Sequence, residues 1–378
     1  MWLGILVGLL ILTLLVVVHE LGHAIAAVKN GVVVEEFGIG FPPTIFRKKL
    51  KNGVNFSINL LPLGGFVKLK GENDSASKKG DYGAATFAQK TKILFAGVLA
   101  NWLVAIILLS GLSLFGLPKI LPNQFYIPSD AVEIVQPVEI ATLNKDYPAE
   151  KAGLNVGDKI IRFAGQEVPS VEGLIEVSKQ NRGKSVDVIY DRGGAEDHVK
   201  VQLLDSEEGP LLGAGLGQGV LVKSTWSSPI VGLLTSLQFT QATFQGVYES
   251  LSNFISGLVM QLSLDANVRS QASDNLQSAG DSVAGPIGIL GTIFPSAQKA
   301  GLPQLTLLAA IISISLAVFN VLPIPALDGG RWFLSFIFKL SKKKLTKEIE
   351  EKTQAIGFSI LMGLVLLVTI IDVTRILQ

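Results

Sequence analysis

Val18-His19-Glu20-Leu21-Gly22-His23 decides how this chain is read. The stretch has the form H-E-x-x-H and contains two of the three histidines in 378 residues. On a helix, positions i and i+4 share a face, so both imidazoles can reach one metal ion while Glu20 holds a water beside it. The setting is as informative as the motif. Residues 2–18 (WLGILVGLLILTLLVVV) are uncharged and almost wholly apolar, so the motif falls where a membrane helix would end. A signal peptide is the competing reading of 1–28. No Lys or Arg precedes the run, and His19 and Glu20 follow it in place of a small-residue cleavage site, so we read a first spanning helix.

Composition fits several spans plus an aqueous domain. The chain is 48% hydrophobic and 17% charged, with a mean hydropathy of +0.47. A net charge of +1 argues against a nucleic-acid partner. The absence of cysteine removes disulfides and zinc–thiolate sites.

Segment 29–92 is expected to be a β-sheet or hairpin followed by a loop. An extended stretch at 32–41 should end at Pro42-Pro43. Val54, Phe56, Ile58 and Leu60 alternate with Asn55, Ser57 and Asn59, a period of two. Pro62-Leu63-Gly64-Gly65 reads as a turn into Phe66–Lys70, and 71–83 as a polar loop. A second span is expected at 93–117. Residues 126–205 carry charges of both signs and short β-rich runs. Within them Pro148–Ile161 and Gly165-Gln166-Glu167-Val168 resemble the PDZ domains of bacterial proteases. His198 falls in that domain's last strand as an ordinary surface residue. Residues 229–262 read as a helix lying at a membrane interface, and 265–284 as a polar loop. A third span covers 303–328, a basic segment 329–355, and a fourth span 356–374. No internal repeat is visible. The expected fold class is thus an α-helical polytopic membrane protein of about four spans, with a membrane-associated β-hairpin or sheet and an inserted α+β PDZ domain.

Basic residues orient these spans. Segment 29–92 carries eleven Lys/Arg against five acids, 329–355 seven against three, and 116–302 thirteen against twenty. The first two are therefore expected on the cytoplasmic side and the PDZ-like domain outside. This places His19, Glu20, His23 and Asp328 at one depth, whereas Asp372 falls at the opposite side. Had 229–262 crossed the membrane, Asp328 would face away from the histidines.

A catalytic zinc takes three protein ligands and keeps one position open for water. His19 and His23 supply two, and a carboxylate must supply the third. Asp328 is at the right depth, and Pro323 and Pro325 break the helix that precedes it. The alternative is that Asp328 only caps the next helix. A zinc ion lowers the pKa of a water toward ~7. Glu20 can then act as general base and pass the proton to a leaving amine. The Asn320 amide either stabilises an oxyanion or bonds backbone freed by the prolines. The stretch Gly64, Gly65 and Phe66 either holds an extended substrate by strand addition or simply covers the site.

H-E-L-G-H in a first membrane helix with Asn320-Val321-Leu322-Pro323-Ile324-Pro325-Ala326-Leu327-Asp328-Gly329-Gly330 in a later one resembles the site-2 protease family of intramembrane zinc metalloproteases. Within that family the chain resembles the bacterial regulator-of-sigma-E proteases. Phe37-Gly38-Ile39-Gly40-Phe41, Leu63-Gly64-Gly65-Phe66-Val67, the single PDZ-like insert and Gly285-Pro286-Ile287 carry the likeness across nearly the whole chain. It implies zinc at His19, His23 and Asp328, catalysis by Glu20, and regulated proteolysis of single-span proteins such as an anti-sigma factor. It also implies a PDZ domain that binds a peptide or filters by size, and a multi-pass place in a bacterial inner membrane, with the active site near the cytoplasmic face. Two departures stand out. Some members have two PDZ domains, and many have His where Arg331 stands, a change that matters little if Asp328 is the ligand. A channel or transporter and a non-catalytic PDZ scaffold are the rival readings. Neither explains why the histidines and Asp328 share a face.

Overall fold

The computed structural model describes residues 2–73, 75–206, 210–261, 263, 265, 268, 270–272, 274–275, 278 and 284–377. The chain divides into two compact units, Met1–Leu112 with Ser227–Gln378, and Ser113–Trp226.

The first unit is built on long apolar helices. These are α1 (Trp2–Lys29), α2 (Phe87–Phe115), α8 (Leu302–Val321) and α10 (Lys347–Leu377). Among the described residues these four contain the helices long and apolar enough to cross a membrane. Each contains a long stretch that is hydrophobic on all sides. Leu3, Leu6, Leu10 and Leu14 of α1 are exposed, whereas Gly4, Gly8, Leu15, His19 and His23 are buried. α1 approaches α2 closely because Gly22 has no side chain: a Cβ there would stand 2.5 Å from the carbonyl oxygen of Ala96. The same device recurs at α5 (Ser228–Gln261), where Gly232 lies on the Ser110 backbone and the Ser228 hydroxyl donates to the Ser110 carbonyl at 2.7 Å. α5 forms as one helix and is not among the four candidate spans.

Between α1 and α2 lies a two-stranded sheet of β1 (Val34–Lys49) and β2 (Asn55–Leu69). Two details differ from the sequence expectation. β1 does not stop at Pro42-Pro43 but continues to Lys49, and β2 runs through the expected turn at 62–65. The register is irregular, so that Ile39 pairs with both Gly65 and Ile58. The alternation at 57–60 turns its polar residues inward. Ser57 and Asn59 are buried, whereas Ile58 and Leu60 are 40% and 56% exposed. On that inward side Asn59 bonds the sheet's own backbone: its Nδ2 donates to the Gly40 carbonyl at 3.0 Å.

After α5, the polar loop expected at 265–284 falls largely outside the described residues; those described at 270–272 and 274–275 are helical. The short α6 (Pro286–Gly288) passes through a π-helical stretch, Ile289–Ile293, into α7 (Phe294–Ala300). Asp372 of α10 caps α6 by accepting from the Gly285 and Gly288 amides at 3.2 and 2.7 Å. The amphipathic α9 (Asp328–Leu340) follows α8.

The second unit contains β3 (Leu117–Pro118), β4 (Val132–Leu143), α3 (Pro148–Lys151), β5 (Lys159–Phe163), β6 (Gln166–Glu167), α4 (Val171–Gln180), β7 (Ser185–Arg192), β8 (Ala195–Gln202) and β9 (Ala214–Lys223). The main sheet order is β3-β9-β4-β5-β7-β8, with β6 on β5. The core gathers Val138, Ile140, Leu154, Ile160, Phe163, Leu174, Val188 and Val201. The unit exceeds 126–205 at both ends, because β9, beyond residue 205, pairs with β3 at Leu117–Pro118 and along β4 from Val132 to Leu143. His198 is exposed on β8.

Candidate metal centre

Three donors converge in the first unit. His19 and His23, one turn apart on α1, bring their Nε2 atoms to 3.1 Å from each other. Asp328 Oδ2 stands 3.1 Å from each of them. Two neutral imidazoles and a carboxylate are suitable ligands for zinc. Three ligands bonded at 2.0–2.1 Å to a tetrahedral ion stand roughly 3.3 Å apart, close to this triangle. The donor set therefore fits the ion that the sequence implies. It is also a group among the described residues whose ligand atoms are near enough to share one metal.

Neighbouring groups prepare the imidazoles. His23 Nδ1 lies 2.8 Å from the Ile93 carbonyl, which places the proton on Nδ1 and leaves the Nε2 lone pair facing the other donors. His19 Nδ1 faces the side-chain amide of Asn101 on α2, 3.4 Å from its nitrogen. Asn101 Oδ1 is buried without a hydrogen bond. Rotating that amide would let Oδ1 accept from His19 Nδ1, the same arrangement that His23 has. Gly97, also on α2, leaves the space the rings occupy. A Cβ there would stand 2.5 Å from His23 Nε2 and 2.8 Å from His19 Nε2.

Asp328 reaches the histidines because the chain before it is bent. α8 ends at Val321, and Leu322 adopts an extended conformation ahead of Pro323 and Pro325. Ala326 then takes φ +78°, a left-handed conformation costly for a residue with a side chain. The Ala326 amide donates to Gln354 Oε1 at 2.5 Å. Leu327 is the N-cap of α9 and gives no side-chain cap bond, so Asp328 begins the helix with its carboxylate on the two imidazoles. Gly329 and Gly330 lie directly against the carbonyls of Val321, Leu322 and Ile324, where no side chain would fit.

A cavity of about 600 Å³ opens on the triangle, and Glu20, Phe66, Val67 and Asn320 line it. A Cβ on Gly65 would lie 3.7 Å from the Glu20 side chain, so β2 passes beside that carboxylate. Asn320 Nδ2 donates to the Leu316 carbonyl one turn back within α8, a carbonyl that Pro323 and Pro325 do not free. Sequence reasoning missed Gly97, Asn101 and the Ile93 carbonyl. All three act from α2, far from the motif in the chain.

The profile of peptidase family M50 matches residues 7–364. The chain belongs to peptidase family M50. A protein of Clostridium perfringens is 30% identical over 98% of both chains, and one of Helicobacter pylori strain J99 is 30% identical over 98% of this chain and 99% of its own. Both are named as candidate zinc metalloproteases. This M50 peptidase is a zinc metalloprotease, and a hydrolase in its chemistry. Among solved structures it is similar to the PDZ domain of an SdrC-like protein from Listeria innocua, at 26% identity over 21% of this chain and 92% of that one, with a TM-score of 0.19. The corresponding domain from Listeria monocytogenes matches at 24% identity over 21% and 87%, with a TM-score of 0.20.

Proposed function

We propose that the chain hydrolyses peptide bonds in or near the spanning helices of membrane proteins, with His19, His23 and Asp328 holding the zinc ion and Glu20 as general base. The observation that carries this reading is the donor triangle that Asp328 completes with His19 and His23 of α1, a helix whose most apolar stretch has a mean hydropathy of 2.6. A soluble substrate would not need its site on such a helix. When bound, zinc supplies Lewis acidity and makes water a nucleophile near neutral pH. Glu20 takes the proton of the attacking water and delivers it to the departing amide nitrogen as the C–N bond breaks. Asn320, on the cavity wall, is a candidate for hydrogen-bonding the carbonyl oxygen under attack through its second N–H.

A helical substrate has its carbonyls already bonded, so it must unwind before attack. Gly65 passes beside Glu20 and Phe66 lines the same cavity, so the stretch Gly64, Gly65 and Phe66 suits an extended segment held by backbone pairing. The outward apolar face of the β1–β2 sheet supports its contact with lipid. We place the active site near the cytoplasmic face of a bacterial inner membrane, Ser113–Trp226 outside, and α5 along the interface, from the charge asymmetry of the segments between spans. The outer domain then receives a peptide end or excludes bulky substrates. An anti-sigma factor with one span is the substrate type we favour.

The test is co-expression of tagged single-span proteins with the wild type and Glu20→Gln. Loss of a general base predicts cleavage slower by roughly 10²–10⁴-fold. A fragment made only by the wild type, and lost with a zinc chelator, is the expected result. Equal fragments from both versions would end the assignment of Glu20.

A further inference from the structure

Arg331 lies three residues after Asp328, in the same first turn of α9. Its guanidinium is engaged on every side. Nε donates to Glu350 Oε1 at 3.2 Å, Nη1 to Glu72 Oε1 at 3.1 Å, and Nη2 to the Glu72 carbonyl at 2.9 Å. Its carbon stands 4.4 Å over the ring of Tyr82, which is fully buried. Glu72 is itself fixed, since Oε2 accepts from the Leu69 amide at 3.2 Å at the end of β2. One side chain thus ties three parts of the first unit together: the β2 end with its following loop, α9, and α10.

The short sequence Asp328-Gly329-Gly330-Arg331 divides the work of one helical turn. Asp328 meets the imidazoles, the glycines close on the backbone of 321–324, and Arg331 anchors the turn from the loop and α10. The backbone entering this turn includes Ala326 in a left-handed conformation, which persists only where its surroundings enforce it. A metal ligand must be held within about 0.5 Å of its working position by such supports. We infer that Arg331 is a positioning residue that sets the Asp328 carboxylate at the metal centre through its fork to Glu72 and Glu350. The sequence expectation that Arg331 matters little treats the ligand alone and omits what holds it. This inference rests on Asp328 being a zinc ligand.

The experiment titrates zinc against a competing chelator in zinc-free, full-length protein in detergent, for the wild type, Arg331→Met, Arg331→Lys, Glu72→Gln and Asp328→Asn. Removing an outer support of a ligand weakens metal binding by roughly 10–100-fold, the loss expected for Arg331→Met. Lysine recovers only part of it, because one ammonium cannot span both carboxylates and the Glu72 carbonyl. In the zinc-free protein, Arg331→Met should also speed hydrogen exchange at 323–332 and leave α2 unchanged. Zinc affinity within twofold of wild type in Arg331→Met, while Asp328→Asn loses zinc, overturns the inference and leaves the ligand reading standing. Full zinc affinity in Asp328→Asn overturns that reading and the inference with it. If Arg331→Met does not fold, Glu72→Gln decides: a threefold or greater weakening supports the inference, and an unchanged affinity overturns it.

Discussion

Replacing Gly97 by alanine adds a single methyl group to α2 and places it at the metal centre. The added carbon would stand 2.5 Å from His23 Nε2 and 2.8 Å from His19 Nε2. Carbon contacts are comfortable near 3.5–4.0 Å, so the shortfall is roughly 1 Å. The helices are already packed closely there, because Gly22 of α1 is seated on the carbonyl of Ala96, the residue before Gly97 in α2. The rings must tilt, or α2 must move and take the Ile93 carbonyl away from His23. Overpacking of this kind costs about 1–3 kcal/mol. Borne by the donor triangle alone, that is roughly a 5- to 150-fold loss of zinc affinity at 1.4 kcal/mol per decade. Chelator competition on purified protein measures it directly. Gly111→Ala is the control, since the same substitution on the same helix meets nothing within 4 Å. Zinc affinity in Gly97→Ala equal to that of Gly111→Ala would refute the reasoning, because the methyl would then have found room that the geometry denies it.

Two further outcomes follow from the same structure. Glu20→Gln should bind zinc within a fewfold of wild type, since the triangle excludes Glu20, while cleavage falls by the factor given above; equilibrium dialysis separates the two effects. In the second unit, burial alone would raise the Asp158 carboxyl, but Arg192 donates to both its oxygens at 2.7 Å and the Asn155 amide adds a third bond at 2.7 Å, holding it below its ordinary value. Its stabilising contribution is therefore complete above the unfolded value of about 3.9 and fades as the pH falls through the lower folded value. Asp158→Asn should destabilise this unit by about 1–2 kcal/mol at pH 7, a figure kept low because Arg192 is 43% exposed, and the deficit should shrink in acid; hydrogen exchange of β4 and β5 in the full chain reads both.

The donor triangle was legible where its geometry is local. His19 and His23 stand one helical turn apart, so their meeting is written in their spacing. Asp328 could be paired with them only through the parity of the spans, and the prolines before it marked where a helix would open. Gly97 was invisible, because a glycine in an apolar helix looks the same whether it meets an imidazole or open space, as Gly111 does. Arg331 was undervalued for a similar reason: its partners Glu72 and Glu350 lie on other elements. The period of two at 54–60 identified a strand but not its inward side, and Ser57 and Asn59 turned out to face in. β9 contains Gly215, Gly217 and Gly219 and lies beyond the 126–205 bounds read from the sequence, yet it pairs with both β3 and β4. A glycine-rich strand is recognised by the neighbours it pairs with, and the sequence does not display them.

X-ray absorption at the zinc edge of the purified protein tests the central claim most directly. The account predicts one zinc per chain with two imidazole nitrogens at about 2.0–2.1 Å and carboxylate oxygen at about 2.0–2.2 Å, with one imidazole lost in His23→Ala and the carboxylate lost in Asp328→Asn. A zinc environment that neither substitution alters would contradict it.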